Sequence, residues 1–394
     1  MNEHEPAAAA RRYELDWLRV LSIFAVFVFH TLLFFATDDF YVKNASEYPL
    51  VDIVRDFFFA WGMPLVFVVS GASTFYALSR RSAGAFLRER AARLLVPLAA
   101  GLVSYLAWII YLDRLGHGRF AGSFVEFIPF YFDGLDMFGG NFPWHGIHLW
   151  YLELLFVFSL LGLPLFLWLR QGSGRQALAW LGDRLAFPGG VYLLAVPLAL
   201  LEAMPAPDTP LTARVYSGWS ILSYLLIFAL GFLLVSHERL YDGVRRLRWL
   251  SLALAVLVTA RLAAQLLALD YPDYGTGLYA EIYAERALVC WTWILAIAGF
   301  AAQRLRFATP ALGYANEAVM PFYILHLPVL ISVAYAVLPL PAPDLAKWLA
   351  ILVLSFGLCA GLYEFVVRRI NVLRVLFGMR PAPQAPQVAT APGA

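Results

Sequence analysis

Ten stretches of predominantly apolar residues constrain this chain more than any other feature. Each comes near the roughly 20 residues that a helix needs to cross the hydrocarbon core of a bilayer. They are 15–36, 55–78, 94–112, 147–169, 187–203, 214–236, 248–269, 283–303, 317–338 and 345–367. In lipid every backbone N–H and C=O must be satisfied internally, so such a run is helical. A transmembrane β-barrel would need short alternating segments, and these runs are long and continuous. The fold expected is an all-α polytopic membrane protein of about ten transmembrane helices. The run 187–203 is the weakest, being short and interrupted by Pro197. Composition agrees: 61% of residues are hydrophobic and 14% charged, against roughly 45–50% and about 25% in soluble domains. That excludes a disordered chain, a nucleic-acid-binding module and most soluble folds.

Orientation follows from Arg and Lys. With the N-terminus in the cytoplasm, the cytoplasmic segments hold twenty basic residues. The outer loops hold six: Lys43, Arg55, Arg114, Arg119, Arg214 and Lys347. Both termini are then cytoplasmic. Arg11 and Arg12 precede the first run, but no small-residue cleavage site follows it, so it reads as a span and not as a signal peptide. Cys290 and Cys359 both fall in apolar runs, which gives neither a disulfide framework nor a cysteine metal site; no metal is expected. The organisation expected is a tail at 1–12, one membrane domain at 13–370 and a cytoplasmic, disordered tail at 371–394, Pro/Ala-rich from Pro381. The outer segment 113–146 is too long for a plain connector and suits a lid or a short interfacial helix.

Ionisable residues inside a span cost roughly 2.5–3.5 kcal/mol each at the helix centre and are functional candidates by default. The first span carries Asp16, Arg19 and His30. Arg19 and His30 are eleven residues apart, three turns plus about 20°, so they share one helix face about 16 Å apart along the axis. Asp16 has the spacing to pair with Arg19. The bland readings are a snorkelling arginine and a neutral imidazole bonded to a neighbouring helix. The shared face favours a common cavity, in which a histidine is the natural general base. Ser70-Gly71-Ala72-Ser73 in the second span reads first as a site of close helix approach. The basic run Arg80, Arg81, Arg88, Arg90 and Arg93 supplies the positive-inside signal. It also suits a phosphate-rich ligand, with Arg90 and Arg93 on one side of a helix. The fourth span opens with His145, His148 and Glu153, with His148 near the depth of His30. The ninth carries His326 between Pro321 and Pro328, and Asn316 as a possible helix cap. Arg261 is expected to pair with Glu285. His145 is left undecided, and His4, His117 and His237 are given no role.

Five segments in order are similar to the integral-membrane acyltransferases of acyltransferase family 3, over roughly residues 13–370. They are LDWLRVLSIFAVFVFHT with its Arg19-x10-His30 pattern, MPLVFVVSGAS, FLRERAARLLVP, HLWYLELL and NEAVMPFYILHLP. The opening and late segments resemble the glucan-succinylating branch. The resemblance implies an acyl-coenzyme A donor from the cytoplasm, and transfer of its acyl group to a glycan hydroxyl at the outer side of a bacterial inner membrane. It implies a catalytic role for His30, and donor contacts from Arg19 and the Arg90–Arg93 pair. The catalytic candidates are His30, His148 and Glu153. Donor-binding candidates are Arg19, Arg90, Arg93, Arg88, Ser70 and His326. Many family members have two adjacent glutamates where this chain has only Glu153. The partner that orients His30 is open, with His148 and Glu153 as guesses. Other partners compatible with this reading are membrane lipid and a second copy of the chain; nucleic acid is not. The competing reading is a transporter or flippase of a glycan or lipid-linked glycan using the same polar cavity, although no clear internal repeat supports inverted halves.

Overall fold

The computed structural model describes residues 11–136, 138–268 and 272–382. Residues 1–10 and 383–394 of the expected tails, and residue 269 of the expected seventh span, lie outside the described residues. Among the described residues each apolar run contains a helix and no β-strand forms, apart from two isolated bridges.

Helices α1 (Tyr13–Leu33) and α2 (Pro49–Leu78) are continuous. The third run is broken. Helix α3 (Ala83–Arg90) passes through a π-helical turn at Ala91–Leu95 into α4 (Val96–Leu102), and the chain then bends by 43° into α5 (Tyr105–Gly116). Within 113–146 the expected interfacial element is α6 (Phe124–Tyr131), whose start is fixed by a reciprocal capping box between Ser123 and Glu126. Helices α7 (Trp150–Leu169), α8 (Gly172–Arg184) and α9 (Ala195–Ala203) follow. Then α10 (Ile221–Ser236) turns through 99° into α11 (Glu238–Arg246). The remaining helices are α12 (Arg248–Ala268), α13 (Gly277–Arg304), α14 (Pro310–Val337), α15 (Asp344–Leu362) and α16 (Asn371–Leu376).

Among the described residues seven helices are long and apolar enough to span a membrane, and nine spans result if each bent pair counts as one. The weak run at 187–203 yields only Gly190–Ala203. That is roughly 20–25 Å of helix against about 30 Å of hydrocarbon. Helices α2, α13 and α14 are more than half buried, whereas α12 and α15 turn most of their apolar surface outward, as lipid-facing helices do.

The tightest helix pair joins α2 to α10. A Cβ on Gly71 would lie 1.9 Å from the Phe228 carbonyl oxygen, and one on Gly231 would lie 2.2 Å from that of Val68. Each helix therefore needs a glycine at the crossing, which bears out the close-approach reading of the Ser70–Ser73 segment. The expected Arg261–Glu285 pair forms at 3.2 Å, with Glu281 also on Arg261.

The C-terminal expectation is corrected. Residues 371–382 are not a free tail: α16 and the turn after it pack on the domain through Met379, which is buried beside Tyr363 and Val367. Arg374 also pairs with Glu317 at 2.9 Å. Met379, with the partly buried Phe377 beside it, supplies the anchor, and both belong to an apolar stretch, Val372–Met379, interrupted only by Arg374 and Gly378.

The loop before α6 is clasped by His117, which lies outside the spans. Its Nε2 is 2.8 Å from Asp39 Oδ1 and its Nδ1 is 2.9 Å from the Asp113 carbonyl. Burial alone would lower its pKa, but the bonds to Asp39 and Asp113 outweigh burial and raise it. A raised folded-state pKa gives stability that is full below the unfolded value, about 6.5, and is lost as pH rises through the folded value. Thermal unfolding of wild type and His117→Ala in detergent should therefore differ below about pH 6 and converge at alkaline pH.

Candidate active site

One face of α1 lines two cavities stacked along its length. Arg19, Ser22 and Ile23 face the first; Val26, His30 and Leu33 face the second. These positions follow the i, i+3, i+4, i+7 rule of a single helix face, so the expected common face of Arg19 and His30 is present.

The first cavity, about 280 Å³, lies where the arginines gather. Five guanidinium groups line it, from Arg19, Arg81, Arg90, Arg93 and Arg380, against one carboxylate, Glu89. On the α3–α4 side the lining residues Phe86, Glu89, Arg90, Arg93 and Leu94 again share one face, continued through the π-helical turn, a local widening that recurs at functional sites. Hydroxyl groups of α2 hold two of the arginines. Arg19 Nη2 donates to Ser73 Oγ at 2.8 Å, and Arg90 Nη2 donates to Thr74 Oγ1 at 3.0 Å. The expected Asp16–Arg19 contact is 3.5 Å. Ser70 lines the same cavity and shares a 2.6 Å hydrogen bond with the Tyr151 hydroxyl. Asn316 corrects an expectation. It does not cap a helix, because α14 starts six residues earlier with Thr309 as its cap. Its amide instead lines this cavity, with both polar atoms buried and unbonded. A cavity so rich in guanidinium groups, with neutral polar groups farther in, is built for an anionic ligand.

The second cavity, about 520 Å³, holds a chain of imidazoles. The His30 and His326 ring centroids are 4.9 Å apart, and those of His326 and His148 are 5.1 Å apart. Each ring is held by a backbone carbonyl, which can only accept. His30 Nδ1 donates to Val26 O at 2.7 Å, His326 Nδ1 to Tyr323 O, and His148 Nε2 to Ile324 O at 3.1 Å. The other nitrogen of each ring is left without a hydrogen-bond partner among the described residues. His326 Nε2 and His148 Nδ1 are fully buried in that state. The partner that orients His30 is thus the carbonyl of its own preceding turn, and neither His148 nor Glu153. Backbone strain sits beside His148. Ile147, a β-branched residue, has φ +52° directly after Gly146 at +77°, a conformation that costs about 1–3 kcal/mol and clusters at functional sites. His145, left undecided from sequence, stands in the same cavity with its Nε2 3.3 Å from Asp136.

Tyr323 lines both cavities. Its hydroxyl donates to the His148 carbonyl, and its own carbonyl holds His326. Sequence reasoning passed over it, although the stripe Asn316, Val319, Tyr323, His326 has helical spacing and was visible.

Three expected site residues are placed differently. Glu153 is half-buried and lines neither cavity; two residues past Tyr151 it points about 200° away. Arg88 is exposed for the same reason relative to Arg90. His326 lies against His30 and not among the arginines, because ten residues of helix, about 15 Å, separate it from Asn316. Among the described residues no group of three or more His, Cys, Asp or Glu side chains is arranged to hold a metal ion.

Comparison with known proteins agrees with this architecture. The family model described as an acyltransferase domain, Acyl_transf_3, matches residues 12–364. The chain is similar to the glucans biosynthesis protein C of Salmonella heidelberg (strain SL476) and of Salmonella typhi. Each is 23% identical over 385 residues, covering 95% of this chain and 96% of the relative. No solved structure matches it. A bundle of apolar helices enclosing a polar site, matched over nearly its whole length by one family, identifies the chain as a member of the acyltransferase 3 family and a multi-pass membrane acyltransferase.

Proposed function

We propose that the chain moves an acyl group, acetyl or succinyl, from acyl-coenzyme A to a hydroxyl of a periplasmic or envelope glycan, with His30 as the general base. The observation that carries this reading is the single face of α1, which presents Arg19 to an arginine-lined cavity and His30 to an imidazole-lined one, with Tyr323 lining both. The positive-inside rule favours the cytoplasm for the arginine-lined end, where the donor would enter across a bacterial inner membrane. The donor's phosphates sit among Arg19, Arg90 and Arg93, and its arm extends past Ser70 and Tyr323. The printed name of the Salmonella relatives favours a glucan acceptor.

With Nδ1 donating to Val26, the free Nε2 of His30 takes the proton from the acceptor hydroxyl as its oxygen attacks the thioester carbonyl. The C–S bond breaks, and the departing thiolate recovers the proton from the imidazolium. His326 packs its ring against both His30 and His148, so the three imidazoles form one polar wall of the acceptor side. Transfer of label from acetyl- or succinyl-coenzyme A into envelope glycans by membranes containing the protein tests this reading. If no donor labels any glycan, yet the protein moves a glycan across vesicles, the transporter reading replaces it.

Arg90→Ala should raise the donor KM about 10–100-fold while kcat changes little, since a hydrogen bond to a charged group contributes about 1.5–3 kcal/mol. A fall in kcat alone would place Arg90 outside donor binding.

A further inference from the structure

The segment after α16 brings an arginine into the first cavity. Arg93 Nε donates to the Gly378 carbonyl at 3.1 Å, and Phe377 stacks on Tyr105 with centroids 6.3 Å apart. At Gly378 the backbone takes φ +72°, and a Cβ there would lie 2.8 Å from Met320 Cγ and 2.9 Å from the Arg93 carbonyl. Only glycine permits that turn at that distance. Arg374 Nε then donates to the Arg380 carbonyl at 2.8 Å, fixing the backbone where Arg380 enters the cavity lining.

We propose that Arg380 is a ligand-binding residue of this cavity, and that Glu89 is an internal carboxylate that a ligand phosphate displaces. That the phosphate belongs to acyl-coenzyme A rests on the function proposed above. Glu89 is shared by three guanidinium groups. Arg380 Nη2 lies 2.8 Å from its Oε1, Arg93 Nη1 lies 3.9 Å from the same oxygen, and Arg81 is paired to Oε2. One carboxylate cannot neutralise three arginines, and Arg19 and Arg90 add to the excess. A phosphate offers the same fork of oxygens with more charge and a further acceptor. It therefore replaces Glu89 on guanidinium groups that are already gathered, and Arg380 closes over it from the C-terminal side.

The alternative is that Arg380–Glu89 merely fastens the segment, and the two readings differ in sign. If Glu89 competes with the ligand, Glu89→Gln tightens binding; if it only fastens, Glu89→Gln and Arg380→Ala weaken it alike. Calorimetric titration of the purified full chain in detergent, with coenzyme A and separately with inorganic pyrophosphate, tests this. Arg380→Ala should weaken binding about tenfold, and Arg380→Lys should recover part of that loss. Glu89→Gln should strengthen binding about threefold or more. Arg175→Ala, an exposed arginine outside the cavity, controls for loss of charge alone. Arg380→Ala and Arg380→Lys that both bind as wild type does, or Glu89→Gln that binds more weakly, overturn the proposal. Wild type that binds pyrophosphate but not coenzyme A refutes the donor reading, and Arg380 and Glu89 are then judged on pyrophosphate. Wild type that binds neither refutes both.

Discussion

Replacing His30 with alanine is expected to lower acyl transfer by about 10²–10⁴-fold, the usual contribution of a positioned general base, while coenzyme A still binds. The separation arises from geometry. His30 lines the imidazole cavity and not the arginine-lined one, so its loss leaves the donor contacts in place. Its Nδ1 is committed to Val26 O, which leaves Nε2 as the nitrogen that the proposed proton transfer would use. The measurement is transfer of labelled acyl groups by membranes holding matched amounts of wild type and His30→Ala, paired with coenzyme A binding to the purified proteins. Transfer within about threefold of wild type would remove His30 from the chemistry. Loss of both transfer and binding would mean that the variant disturbs the fold. Incubating wild type with labelled donor and no acceptor separates the two chemical routes: a general base leaves the protein unlabelled, whereas a nucleophilic imidazole becomes acylated.

Gly71→Val should abolish accumulation of folded protein. A Cβ at that position would sit 1.9 Å from the Phe228 carbonyl oxygen and 2.9 Å from the Phe232 nitrogen. Both are backbone atoms, so no rotamer change relieves the clash and α10 must move away from α2. Overpacking usually costs about 1–3 kcal/mol and more when the obstruction is rigid. Here the displaced pair also carries Ser70, Ser73 and Thr74 into the first cavity or onto its arginines. Fluorescence-detected size exclusion of Gly71→Val and Gly357→Val compares the two. Gly357 has no atom within 4 Å of a would-be Cβ and should tolerate the change. Equal, monodisperse yields would show that the α2–α10 crossing does not need its glycine.

Much of the fold was legible in the sequence. All ten apolar runs contain helices, because lipid forces backbone pairing within each segment and leaves length and hydropathy as the main signals. Where the reading fell short, the competing effect is identifiable. Gly189, whose φ is +96°, delays the start of the fifth run's helix to Gly190, and the helix continues through Pro197 to Ala203. The ordered chain runs past residue 370, since the apolar stretch Val372–Met379 packs Met379 against the domain before the Pro/Ala-rich residues begin. The site was legible in part. Arg19 with His30, and Arg90 with Arg93, are relations within one helix, and helical periodicity fixes them. Glu153 as an intramembrane glutamate and Arg88 as part of the basic run were expected at the site, yet a two-residue step along a helix from Tyr151 or Arg90 turns a side chain to the opposite face.

The sequence by itself determined which segments are helices, which faces of them carry charge, and that Arg19 and His30 look the same way. The tertiary structure decided that His326 stands between His30 and His148, that Tyr323 lines both cavities, and that Arg380 returns to the arginine-lined one. Those relations join residues far apart in the chain, as Arg19 and Arg380 are. No local period records them; they depend on helix crossings set by backbone contacts such as Gly71 against Phe228, and by where one buried methionine anchors the end of the chain.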